Sequence, residues 1–140
     1  MSCSSSLDRY RVWFRAAAVY NLAWGAFVVI APRTPLEWVG VAPPEPIALW
    51  QAVGAMVLAF APAYWWASRD PWAHHHIVLI GMLGKVMGLA GFAYAAATDQ
   101  LPLSFGIVTL FNEVLWLPAF GLFLIDVARV SGWRRLLSGA

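Results

Sequence analysis

The chain has 140 residues, 61% of them hydrophobic and only 11% charged. A soluble domain carries about 25% charged residues and could not hide so much apolar surface, which excludes a soluble fold. The net charge of +2 comes from basic residues at the ends of apolar stretches. With no basic stripe, composition argues against a nucleic-acid partner. A hydrocarbon core of about 30 Å needs roughly 20 apolar residues per helix. Four such helices, in one domain over residues 1–140, use most of the length.

The first apolar stretch, 12–31, follows Arg9 and Arg11, with Arg15 near enough to its end to snorkel. It exceeds the roughly 7–15 residues of a signal-peptide core and no small-residue cleavage site follows, so it reads as an uncleaved span. Pro32, Pro35, Pro43, Pro44 and Pro46 then break the chain into a loop carrying Glu37, Trp38 and Glu45. A second span over 46–67 ends before the turn Arg69, Asp70, Pro71, and Trp72 with His74, His75 and His76 lead into a third over 77–98. Asp99, Gln100, Leu101 and Pro102 form the shortest loop, before a fourth span over 103–127. Short loops force antiparallel neighbours. The expected fold is therefore all-α, an up-down four-helix transmembrane bundle.

Seven arginines (9, 11, 15, 69, 129, 134 and 135) fall on one side and Arg33 alone on the other. The positive-inside rule makes the first side cytoplasmic and puts both termini there. Tyr10, Trp13, Trp65, Trp66, Trp72 and Trp133 on that side, with Trp38 and Trp50 opposite, suit the aromatic belts.

Lys85 and Glu113 are the two ionisable residues placed deep in the spans. Such residues cost about 2.5–3.5 kcal/mol on insertion scales and must face a partner, a cavity or the bundle interior. Counted from the turn at Gln100, their depths differ by about 3 Å, so they can pair across the third and fourth helices. Gly81, Gly88 and Phe92 share the Lys85 face, with Gly84, Gly91 and Ala95 beside it. Such a face is expected to pack against protein, and the Gly84 and Gly88 pair suits either the bundle itself or a homo-oligomer. On the fourth helix Thr109, Glu113, Trp116 and Phe120 share a face with Asn112 beside it, and Pro118 should leave the Val114 carbonyl free. Asn21 and Trp24 on the first helix, and Gln51 on the second, can complete a pocket formed by Lys85, Glu113, Asn112 and Trp116. A structural ion pair with interhelical glue is the competing reading.

Three adjacent histidines diverge by about 100° each on a helix start and lack a completing Cys or carboxylate cluster, so interfacial histidines are favoured over a metal site. Asp126 should be wetted and pair with Arg129. The single cysteine, Cys3, excludes an intramolecular disulfide and lies in a Ser-rich tail without local positive charge to stabilise a thiolate. No cofactor is implied.

Tyr20-Asn21-Leu22-Ala23-Trp24-Gly25, Pro32, Trp50-Gln51, Asp70-Pro71 with His74, Gly81-Met82-Leu83-Gly84-Lys85, Phe105-Gly106 and Asn112-Glu113 together resemble a family of small bacterial four-span membrane proteins. The resemblance covers about residues 10–123. It implies a multi-pass protein of the bacterial inner membrane and the label alkyl hydroperoxide reductase. Here Ala52 stands where relatives have a cysteine after the Trp-Gln pair, and Glu113 where they have aspartate. A thiol peroxidase needs an accessible low-pKa cysteine and usually a resolving thiol, which this sequence does not offer.

Overall fold

A computed structural model of the protein describes residues 7–132 and 136. Cys3, Trp133, Arg134 and Arg135, to which the sequence reading gave roles, lie outside the described residues. Four helical segments are long and apolar enough to cross a membrane: Asp8–Ile30, Ala48–Arg69, His75–Ala97 and Leu103–Ser131. The chain is an all-α four-helix bundle and a multi-pass integral membrane protein.

The first span is a 3-10 turn, Asp8–Tyr10, running into α1 (Arg11–Ile30). A short α2 (Thr34–Trp38) interrupts the expected loop. Pro35 suits its first turn, where no intrahelical partner for an N–H is required, and Leu36 is buried beneath it. The second span, α3 (Ala48–Arg69), begins two residues later than expected because Pro46 and Ile47 supply only the carbonyls that start it. It ends at Asp70, which is extended (φ −141°, ψ 89°), as a residue before proline is biased to be. The third span is α4 (His75–Ala97). The fourth is composite: a 3-10 turn (Leu103–Phe105), α5 (Gly106–Thr109), a π-helical segment (Leu110–Val114) and α6 (Leu117–Ser131).

Large apolar side chains point outward along every span, Ile30, Met87 and Leu103 among them, as a lipid-facing surface requires. The interior divides into two unlike halves. At the end holding both described termini, Leu7, Tyr10, Phe14, Tyr64, Val78, Phe120, Phe123 and Leu136 form a closed core. Phe14 meets Phe120 and Phe123 edge-on at centroid separations of 5.7 and 4.9 Å, and Phe120 meets Tyr64 at 5.3 Å.

Toward the other end α1 and α3 touch backbone to backbone. A Cβ on Gly25 would lie 2.6 Å from the Leu58 nitrogen, and one on Gly54 would lie 2.7 Å from a Val28 methyl. Only residues without a side chain allow that approach. Nothing comparable draws α4 against α3 there, so a cleft remains between them.

Candidate functional site

The cleft is built where α4 passes the π-helical segment. In that segment the Leu115 N–H bonds the Leu110 carbonyl (3.0 Å), five residues back, and the Trp116 N–H bonds the Glu113 carbonyl (3.1 Å), three back. Neither reaches four residues back, so the carbonyls of Phe111 and Asn112 are released from the ordinary ladder. Both find side chains. Trp116 Nε1 donates to the Phe111 carbonyl at 2.8 Å, and Lys85 Nζ donates to the Asn112 carbonyl at 2.7 Å. The carbonyl that joins the site is therefore that of Asn112, where the proline argument had pointed to Val114. A polar run ahead of proline in an apolar span is the signal that could have marked this irregularity.

Lys85 is 8% exposed. Its ammonium lies 3.9 Å from a Glu113 carboxylate oxygen, an ion-pair distance that is too long for a direct hydrogen bond. It also stands 5.8 Å from the centre of the Phe120 ring, within reach of a weak cation–π contribution. Gly88 makes room for the carboxylate, since a Cβ there would come within 2.8 Å of Glu113 Oε1. The loose spacing leaves donor capacity on the ammonium and acceptor capacity on the carboxylate, both directed at one cavity.

That cavity, of about 190 Å³, is lined by Asn21, Tyr64, Gly84, Lys85, Asn112 and Glu113, with aliphatic residues of α3. A second, of about 220 Å³, adjoins it and contains Trp24, Trp50, Gly91, Phe92, Phe105 and Thr109. Four of the residues singled out in the sequence, Lys85, Glu113, Asn112 and Asn21, thus surround the first cavity, and Trp24 lines the second. Gln51 and Trp116 line neither. Gln51 Nε2 donates to the Val29 carbonyl at 2.9 Å, fastening α3 to α1. Trp116 is 4% exposed and packs on Tyr20 at 5.4 Å while bonding the π segment.

Tyr64, Trp50 and Thr109 were not foreseen as site residues. Tyr64 lies over Gly81, whose missing side chain gives the phenol its place. Gly84 and Gly91 meet no atom within 4 Å of an added Cβ, so this part of the glycine face borders open cleft and not an apposed helix.

At the end of the bundle that holds both described termini, Asp126 is held by Tyr10 (2.6 Å) and Arg9 (2.5 Å), with Arg129 at 3.6 Å. This cluster ties the first span to the fourth. His74 and His75 use Nδ1 on the backbone carbonyls of Asp70 (3.0 Å) and Trp72 (2.8 Å), fixing the turn before α4. Among the described residues, no cysteine lines the cleft. No family matches the chain, and no curated protein or solved structure matches it either.

Proposed function

We propose that this protein binds a small membrane-soluble ligand through Lys85 and Glu113, in a bacterial inner membrane with its arginine-rich end in the cytoplasm. The observation that carries the reading is the geometry at Lys85. A buried ammonium is satisfied by a peptide carbonyl on one side and by a carboxylate only at 3.9 Å on the other, facing a cavity. A pair retained for register alone gains most from close, fully hydrogen-bonded contact, whereas a ligand hydroxyl on the cavity side can bridge these two groups, accepting from the ammonium and donating to the carboxylate. Charges kept at mid-membrane are by default functional.

The rival reading is a structural staple, favoured by the bond from Lys85 to the Asn112 backbone, with the glycine face of α4 available to another chain or a second copy. The double variant Lys85→Met with Glu113→Gln separates the two. Mass spectrometry of molecules co-purifying with each form should show a species held by the wild type and lost from the variant. Identical spectra from two equally stable proteins would reject the binding role. A reporter fused to the C-terminus and active only in the cytoplasm checks the orientation.

A further inference from the structure

A third cavity, of about 330 Å³, lies outside the cleft and shares no residue with it. It is a groove between α1 and α3 on the lipid-facing surface, walled entirely by apolar side chains. Ala18 and Ala61, 5% and 6% exposed, form its floor. Val19, Leu22, Pro62 and Trp65 are exposed and form its rims. Such a channel offers a hydrocarbon chain continuous dispersion contact and no polar group to satisfy.

Charge at one end sets this groove apart from the rest of the lipid-facing surface. By helical spacing Arg15 shares the α1 face of Val19 and Leu22, and Arg69 shares the α3 face of Pro62 and Trp65. The antiparallel register set where Gly25 meets Leu58 brings Arg15 level with Ser68, next to Arg69. Both arginines are exposed, one turn beyond the groove at the end that holds the described termini. The carboxylates of that end are engaged elsewhere: Asp8 holds Arg11, Asp126 holds Arg9 and Arg129, and Asp70 accepts the Ala73 N–H. Among the described residues no carboxylate lies within ion-pair distance of Arg15 or Arg69.

Two uncompensated guanidinium groups at the end of an apolar groove complement a phosphodiester that carries a hydrocarbon chain. A zwitterionic head would bring its own ammonium against the arginines, whereas an anionic head brings none. We infer that the groove binds an anionic phospholipid, its phosphate between Arg15 and Arg69 and one acyl chain in the channel over Ala18 and Ala61. The membrane itself supplies this ligand, so the site is independent of Lys85 and Glu113. The full chain in detergent, given equal amounts of dioleoyl phosphatidylglycerol and dioleoyl phosphatidylcholine, can be read by native mass spectrometry. One phosphatidylglycerol should be retained about tenfold in preference to phosphatidylcholine, the combined effect of two arginines at a membrane surface. Arg15→Gln with Arg69→Gln should abolish the preference, and either exchange alone should reduce it severalfold. Arg129→Gln removes a charge from the same end but outside the groove, so the preference should persist. Leu22→Ala removes part of one rim and should lower phosphatidylglycerol retention severalfold. Inorganic phosphate in excess should displace none of it.

Equal retention of the two lipids, a preference that survives loss of both arginines, or one lost as fully with Arg129→Gln, overturns the inference. Displacement by inorganic phosphate would assign the arginines to a free anion, and unchanged retention in Leu22→Ala would detach the lipid from the groove. Either result overturns it as well.

Discussion

The Lys85 ammonium is bonded to the backbone carbonyl of Asn112 at 2.7 Å and stands 3.9 Å from the Glu113 carboxylate, closer to a peptide dipole than to its counter-charge. The π-helical segment causes this, by turning a carbonyl out of the helix ladder at the depth the lysine reaches. The pair therefore depends on an irregular backbone as much as on Coulombic attraction.

Lys85→Met should destabilise the protein by about 2–4 kcal/mol, since it strands a released carbonyl and a partly buried carboxylate together. Adding Glu113→Gln should recover part of that loss, because no unpaired charge then remains, while the Asn112 carbonyl left without its donor keeps the double variant about 1–3 kcal/mol below wild type. Thermal melts of the three proteins in one detergent measure both steps. A double variant melting as low as the single would show that the carboxylate is not what the lysine offsets.

Trp116→Phe keeps the packing on Tyr20 but removes the indole N–H from the Phe111 carbonyl. The expected cost is about 1–3 kcal/mol, that of a buried acceptor left unmet. Amide hydrogen exchange at Leu115, whose N–H closes the π turn, should accelerate in this variant. Unchanged protection there would detach Trp116 from the π turn.

Two glycines on different helices should respond in opposite ways to the same added methyl. Gly25→Ala places a Cβ 2.6 Å from the Leu58 backbone nitrogen and should cost about 1–3 kcal/mol as α1 and α3 move apart. Gly84→Ala meets open space and should be neutral or stabilising by up to about 1 kcal/mol through helix propensity. Paired melting curves test the contrast, and equal destabilisation would contradict the open cleft beside Gly84.

At the end of the bundle that holds both described termini, Tyr10→Phe should matter more than Arg9→Ala. Tyr10 is 5% exposed and bonds Asp126, so its hydroxyl contributes about 1–2 kcal/mol. The Arg9 side chain is 66% exposed, and solvent screening limits its ion pair to at most about 1 kcal/mol. A double-mutant cycle with Asp126→Asn reports both couplings.

Much of the bundle was legible in the residues because membrane insertion is governed by local composition. Spans expected at 12–31, 46–67, 77–98 and 103–127 correspond to helical segments whose bounds differ by a few residues. Proline explains two of the shifts, at Pro46 and at Asp70 before Pro71. The short helix Thr34–Trp38 was hidden among prolines that read as loop, although Pro35 favours a first helical turn. At the site, helical periodicity brought Lys85, Glu113, Asn112 and Asn21 to one level. The same regular geometry misplaced the free carbonyl, because a π segment follows from how backbone groups find partners and not from residue spacing.

By itself the sequence determined the class of solvent, the number of crossings and the two charges that had to be sheltered, since each follows from transfer cost summed along the chain. Tertiary structure alone decided which helices close on each other and which stay apart. Gly25 and Gly54 bring α1 and α3 into backbone contact while Gly84 and Gly91 border a cleft, and a glycine in a sequence reads the same in either case. What a missing side chain permits depends on what stands opposite, and that is fixed only when all four helices are in place.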